Sequence, residues 1–62
     1  MTNLRAYRKA SGISQERLAE LLGVTQGAVT QWECGRTHPG YTRLLKLADL
    51  LGVTVDELMK GA

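Results

Sequence analysis

The chain holds one cysteine and one histidine among its 62 residues. That excludes an internal disulfide, which needs two thiols, and a closed structural zinc site, which needs four ligands. Cys34 and His38 stand four apart, but Gly35 between them ends a helix, so no metal or redox role is assigned to either. A lone thiol suits a reducing compartment. No stretch approaches the roughly 20 consecutive apolar residues of a membrane helix, and no apolar run behind basic residues opens the chain as a secretory leader would. A nucleophile–base pair, a pocketed carboxylate pair and a glycine-rich phosphate loop are also missing, and so short a chain can hardly enclose a substrate. These absences lead to an expectation of a soluble cytoplasmic protein without catalytic role, metal, cofactor or membrane partner.

What charge there is lies unevenly. The formal net charge is +2 and the isoelectric point about 9.0, mildly basic and by itself weak grounds for a polyanionic partner. Arg5, Arg8, Lys9, Arg17, Arg36, Arg43 and Lys46 precede Asp49, Asp56 and Glu57, so one end suits a polyanion and the other does not. Lys9, Lys46 and Lys60 read as surface charges.

Apolar residues recur at helical spacing, and no segment alternates with period two long enough to be a strand. The expected class is all-α, with residues 1–62 forming one domain. A first helix starts near Thr2 or Asn3, either able to cap it, and runs to about Ser11 with Leu4, Tyr7 and Ala10 inward; Gly12 follows. Ser14 caps a second helix whose stripe is Leu18, Ala19, Leu21 and Leu22, and Gly23 stops it. Thr25 caps a third, with Val29 and Trp32 inward and Gly35 at its end. After Pro39 and Gly40, a fourth runs from about Tyr41 to Leu51 with Tyr41, Leu44, Leu45, Leu47, Ala48 and Leu51 as its apolar positions, closed by Gly52. The last opens with a capping box from Thr54 to Glu57, buries Val55 and Leu58, and takes Val53 as its hydrophobic staple; Gly61 ends it.

The informative unit is the helix pair from Ser14 to Gly35. Short helices joined by a tight turn cross steeply, so one can lie in a groove while the other spans the backbone beside it. Such a pair needs a small residue at the crossing (Ala19), a turn residue tolerating positive φ (Gly23), apolar plugs in the turn and second helix (Val24, Val29) and a short polar outer face (Gln26, Thr30, Gln31). Spacing alone also fits an ordinary helical hairpin in a small bundle.

The string SQERLAELLGVTQGAVTQWECGR, followed by LLKLADLLGVTVDEL, resembles the phage Cro and repressor family of helix-turn-helix proteins. SQxxLA, the LGV turn, the WExG end of the third helix and LAxLLGV occur together and in order, from Leu4 to about Met59. The resemblance implies a compact five-helix lambda-repressor-like domain. Some relatives end in strands; the LLKLADLLG run and the Thr54 capping box predict a helical ending here. It further implies a sequence-specific regulator of transcription, most simply a Cro-like repressor from a bacterium, phage or prophage. Such a protein occupies a pseudo-palindromic DNA operator as a dimer, with the segment 25–34 in the major groove.

Carried over by position, the resemblance implies base contacts from Gln26, whose amide can pair with adenine N6 and N7, from Gln31 and from Thr30. Gly27 stands where the family often places another base-reading side chain; it costs the helix about 1 kcal/mol against alanine and implies close backbone approach or fewer contacts. Gln15 matches a glutamine that binds phosphate and braces the neighbouring reader, Gln26. Arg17, Arg36, Thr37, His38 and Arg43 are the other phosphate candidates, Arg43 being equally at home in solvent. Arg8 and Glu33 match a structural ion pair between the first and third helices. Cys34 stands where some relatives place a phosphate-touching asparagine, a role a thiol fills poorly.

One such helix reads few bases, so a homodimer is expected, with Val55, Leu58 and Met59 at its interface and half-sites about 34 Å apart. A second reading makes the chain an antitoxin or small repressor whose DNA or dimer face is captured by a protein antagonist.

Overall fold

A computed structural model of the protein describes residues 2–60, within which the elements are five helices and no strand. They are α1 (Thr2–Ala10), α2 (Gln15–Leu22), α3 (Gln26–Cys34), α4 (Tyr41–Leu51) and α5 (Val55–Met59).

Local chemistry sets most of these boundaries. Ser14 Oγ accepts the Arg17 N–H at 3.0 Å and Thr25 Oγ1 the Ala28 N–H at 3.1 Å, each satisfying a donor that has no partner inside its own helix. Thr54 and Glu57 form the reciprocal capping box, at 3.0 and 3.1 Å. With only five residues, α5 depends on such end contacts and on burial more than on its own ladder.

The core is built evenly. Each helix contributes one side chain with no exposed surface: Leu4, Leu18, Val29, Leu47 and Leu58 in order. Ala19, Leu22, Trp32, Ala48 and Leu51 complete the buried cluster, with Tyr7, Ile13, Val24, Leu44, Val53 and Val55 packed against it. Burying a leucine or valine is worth about 1.5–3 kcal/mol, so every helix has its own reason to dock.

Several expectations are corrected. Leu58 is fully buried among the helices of its own chain and has no surface left for a second copy. Tyr41 and Leu45 are 72% and 46% exposed: α4 is apolar on more faces than its neighbours α2 and α5 cover. Ala10 is exposed at the end of α1. Asn3 lies inside α1 instead of capping it, and its amide serves α5. Asn3 Nδ2 donates to the Glu57 carbonyl at 2.9 Å and also to the Lys60 carbonyl, closing the last turn of a helix 54 residues away. The expected cap at the Thr2 side chain and the expected stop at Gly61 lie outside the described residues.

No described helix is long and apolar enough to cross a membrane.

Candidate nucleic-acid interface

The turn between α2 and α3 is set by Gly23. Its φ of 70° lies in the left-handed region that side chains resist, and there its N–H reaches Glu20 O while the next N–H, from Val24, reaches Ala19 O at 3.0 Å. Val24 turns against the core and Thr25 returns to extended backbone, so α3 begins after three residues. Gly35 ends α3 in the same way, with the Arg36 N–H on Gln31 O at 3.0 Å. That bond uses the Arg36 amide and leaves its side chain exposed.

On α3, Val29 and Trp32 are buried and fix the rotation of the helix. The opposite side then carries Gln26, Gly27, Thr30, Gln31 and Cys34, all exposed. At 3.6 residues per turn these five positions share one face. Cys34, to which the sequence assigns no role, lies seven residues after Gly27 and four after Thr30, a helical spacing that puts it on this face.

A buried polar network holds the face at a fixed height. Arg8 is 8% exposed. Its Nε donates to Glu33 Oε2 at 2.6 Å, one Nη to Glu33 Oε1 at 3.4 Å and the other to the Ile13 carbonyl at 2.8 Å. Gln15 Nε2 donates to the same Oε1 at 2.9 Å. A carboxylate withdrawn from water is tolerable only when its lone pairs are taken up in this way. Among the described residues no buried side-chain nitrogen or oxygen lacks a partner.

Gln15 faces both ways. Its Oε1 accepts the Thr30 hydroxyl at 3.1 Å, so one amide spans from the start of α2 to both the inner edge and the outer face of α3. Its partners are Glu33 and Thr30, not the Gln26 side chain that the sequence resemblance had paired it with. Thr30 Oγ1 also lies 3.1 Å from the Gln26 carbonyl, so its single proton is shared between two acceptors of the chain. Gln31 Oε1 receives the Thr37 hydroxyl at 3.4 Å, which leaves the Gln31 amide protons free.

Arg17, Arg36, Thr37, His38 and Arg43 are exposed. Arg17 comes within 3.9 Å of Glu20, with both side chains more than 60% exposed, a screened pair that leaves the guanidinium available. Three or more clustered metal-ligating side chains occur nowhere among the described residues.

A family model described as Helix-turn-helix matches residues 4–58, which takes in all of this geometry. The chain belongs to that helix-turn-helix family. It is 40% identical over 58 residues to the SPbeta prophage-derived uncharacterized HTH-type transcriptional regulator YonR of Bacillus subtilis, covering 94% of this chain and 54% of the relative. To the HTH-type transcriptional activator BcrR of Enterococcus faecalis it is 36% identical, again over 94% of this chain but 28% of the relative. The chain thus spans about half the length, or less, of these helix-turn-helix relatives. Among solved structures it matches the Salmonella phage P22 c2 repressor in complex with a synthetic operator, with a TM-score of 0.85 and 39% identity over 95% of this chain and 89% of that one. The lambda-repressor-like arrangement of five helices is therefore this chain's fold.

Proposed function

We propose that this helix-turn-helix chain binds double-stranded DNA in a sequence-specific manner and regulates transcription without catalysing a reaction. The observation that carries the reading is the outer face of α3, where Gln26, Gly27, Thr30 and Gln31 are exposed on a helix braced from behind by Glu33, Gln15 and Arg8. Nine residues at 1.5 Å each give a helix of about 13 Å, short enough to enter a major groove end-on and touch about four base pairs. In this reading the exposed side chains of Arg17, Arg36, Thr37, His38 and Arg43 supply the phosphate contacts that set register.

Repression is the mode we favour, because the P22 relative with the same fold is a repressor and was crystallised on operator DNA. In this reading the chain is a single cytoplasmic domain that obstructs transcription by occupying its operator.

Size supports a dimer in this reading. The described residues measure 23 × 23 × 20 Å, while successive half-sites on one side of the duplex lie about 34 Å apart. One copy reaches one half-site, so a pseudo-palindrome requires two. Of the expected interface, Met59 is 43% exposed and Val55 half-buried. Leu45 on α4, which packs beside α5, joins them in place of Leu58.

Selection of bound sequences from a random duplex pool at two salt concentrations tests the proposal. The expected result is one enriched motif with two-fold symmetry at both; recovery of unenriched DNA would overturn sequence-specific binding.

A further inference from the structure

Gly27 lies in the first turn of α3, in the middle of the exposed face, and nothing inside the protein calls for a glycine there. Its backbone is not among the positive-φ positions, which are Gly12, Gly23, Gly35 and Gly52. A Cβ built on it meets only Thr25 Oγ1, at 3.8 Å, an ordinary van der Waals contact. A Cβ would therefore fit, and most residues would make a better helix, since only proline is poorer in a helix than glycine. The described residues supply no reason for glycine there.

The neighbours of Gly27 suggest a reason that a partner would supply. Thr30 and Gln31 lie three and four residues on, so on the helix surface the bare Cα of Gly27 sits beside one short side chain and one long one. Thr30 is the short one, and its hydroxyl already lies 3.1 Å from both Gln15 Oε1 and the Gln26 carbonyl. A residue so short touches a partner only if the partner comes close to the helix backbone. A Cβ at position 27 would stand in that path.

We propose that Gly27 is the point of closest approach between α3 and the base edges of the major groove, so that it sets specificity by leaving room and not by reaching out. This rests on the DNA-reading function proposed above. The other meaning of a glycine, a position that simply reads nothing, predicts the opposite response to a side chain.

The test uses the whole chain, the duplex enriched by the wild type and an unrelated duplex. Gly27→Ala should raise the melting temperature, because alanine favours helix. It should also weaken binding to the enriched duplex by about tenfold or more, the size of one lost base contact, with little change on the unrelated duplex. Gly27→Val, with circular dichroism to check folding, should weaken it further. Equal or tighter binding of Gly27→Ala to the enriched duplex would overturn the proposal. A wild type that enriches no motif would overturn the parent reading instead, and that outcome is visible before any variant is made.

Discussion

Gln15 donates its side-chain amide to Glu33 at 2.9 Å, on the same carboxylate that receives Arg8 at 2.6 Å. Three helices meet at this group: α1 through Arg8, α2 through Gln15 and α3 through Glu33. The outward positions of α3 are thus referenced to the scaffold by a polar contact as well as by the burial of Val29 and Trp32. A helix that must enter a groove at one depth and rotation gains from both constraints, because apolar packing alone tolerates small rotations.

Breaking this contact from one side should be costly. Glu33→Ala leaves the Arg8 guanidinium buried without its counter-charge, and urea denaturation should show a loss of about 3–5 kcal/mol. Replacing both residues together, with Arg8→Met and Glu33→Leu, should recover much of that stability while operator affinity stays reduced, since packing returns but the Gln15 contact does not. Full recovery of both would mean that the network fixes only stability.

Arg36 should behave as a phosphate contact. Arg36→Ala should weaken binding to enriched and unrelated duplexes by similar factors and reduce the slope of log K against log salt by about 1. Binding titrations at four or five salt concentrations read this directly. A loss confined to one sequence would make Arg36 a base reader.

Met59→Asp should shift the monomer–dimer balance. A charge placed on a half-exposed apolar contact has to be desolvated when two copies meet, so sedimentation should show more monomer, and binding to a two-half-site duplex should become weaker and steeper in protein concentration. An unchanged profile would move the interface away from α5.

Much of the fold is legible in the chain because the signals that set it are local. Ser14, Thr25 and the Thr54–Glu57 box each act within three residues, and Gly23 and Gly35 stop their helices by their own conformation. What escapes the sequence depends on which neighbour arrives. Tyr41 and Leu45 follow helical spacing as well as Leu47 and Leu51 do, and only the positions of α2 and α5 decide which pair is buried. Asn3 satisfies every local rule for a cap, yet its partners are carbonyls at the other end of the chain. The capping box already implies that Leu58 is buried, but only the packed core, with Leu4 and Leu47 beside it, shows that no part of it remains for an interface. The outer face of α3 is visible in the sequence as a polar stripe, but the Gln15 link to Thr30 is not, because 15 residues and a turn separate them.

The central claim is that the outer face of α3 reads bases, and Gln26→Ala tests it most directly. Gln26 is exposed at the first position of the helix, where its amide can bridge adenine N6 and N7. Binding of wild type and variant should be measured on the enriched duplex and on an unrelated one at the same salt. The account predicts a loss of about 1–3 kcal/mol on the enriched duplex, relaxed preference at one base pair of each half-site, and nearly unchanged affinity for the unrelated duplex. Equal losses on both would contradict it, making Gln26 part of the scaffold and leaving the reading of sequence to some other surface.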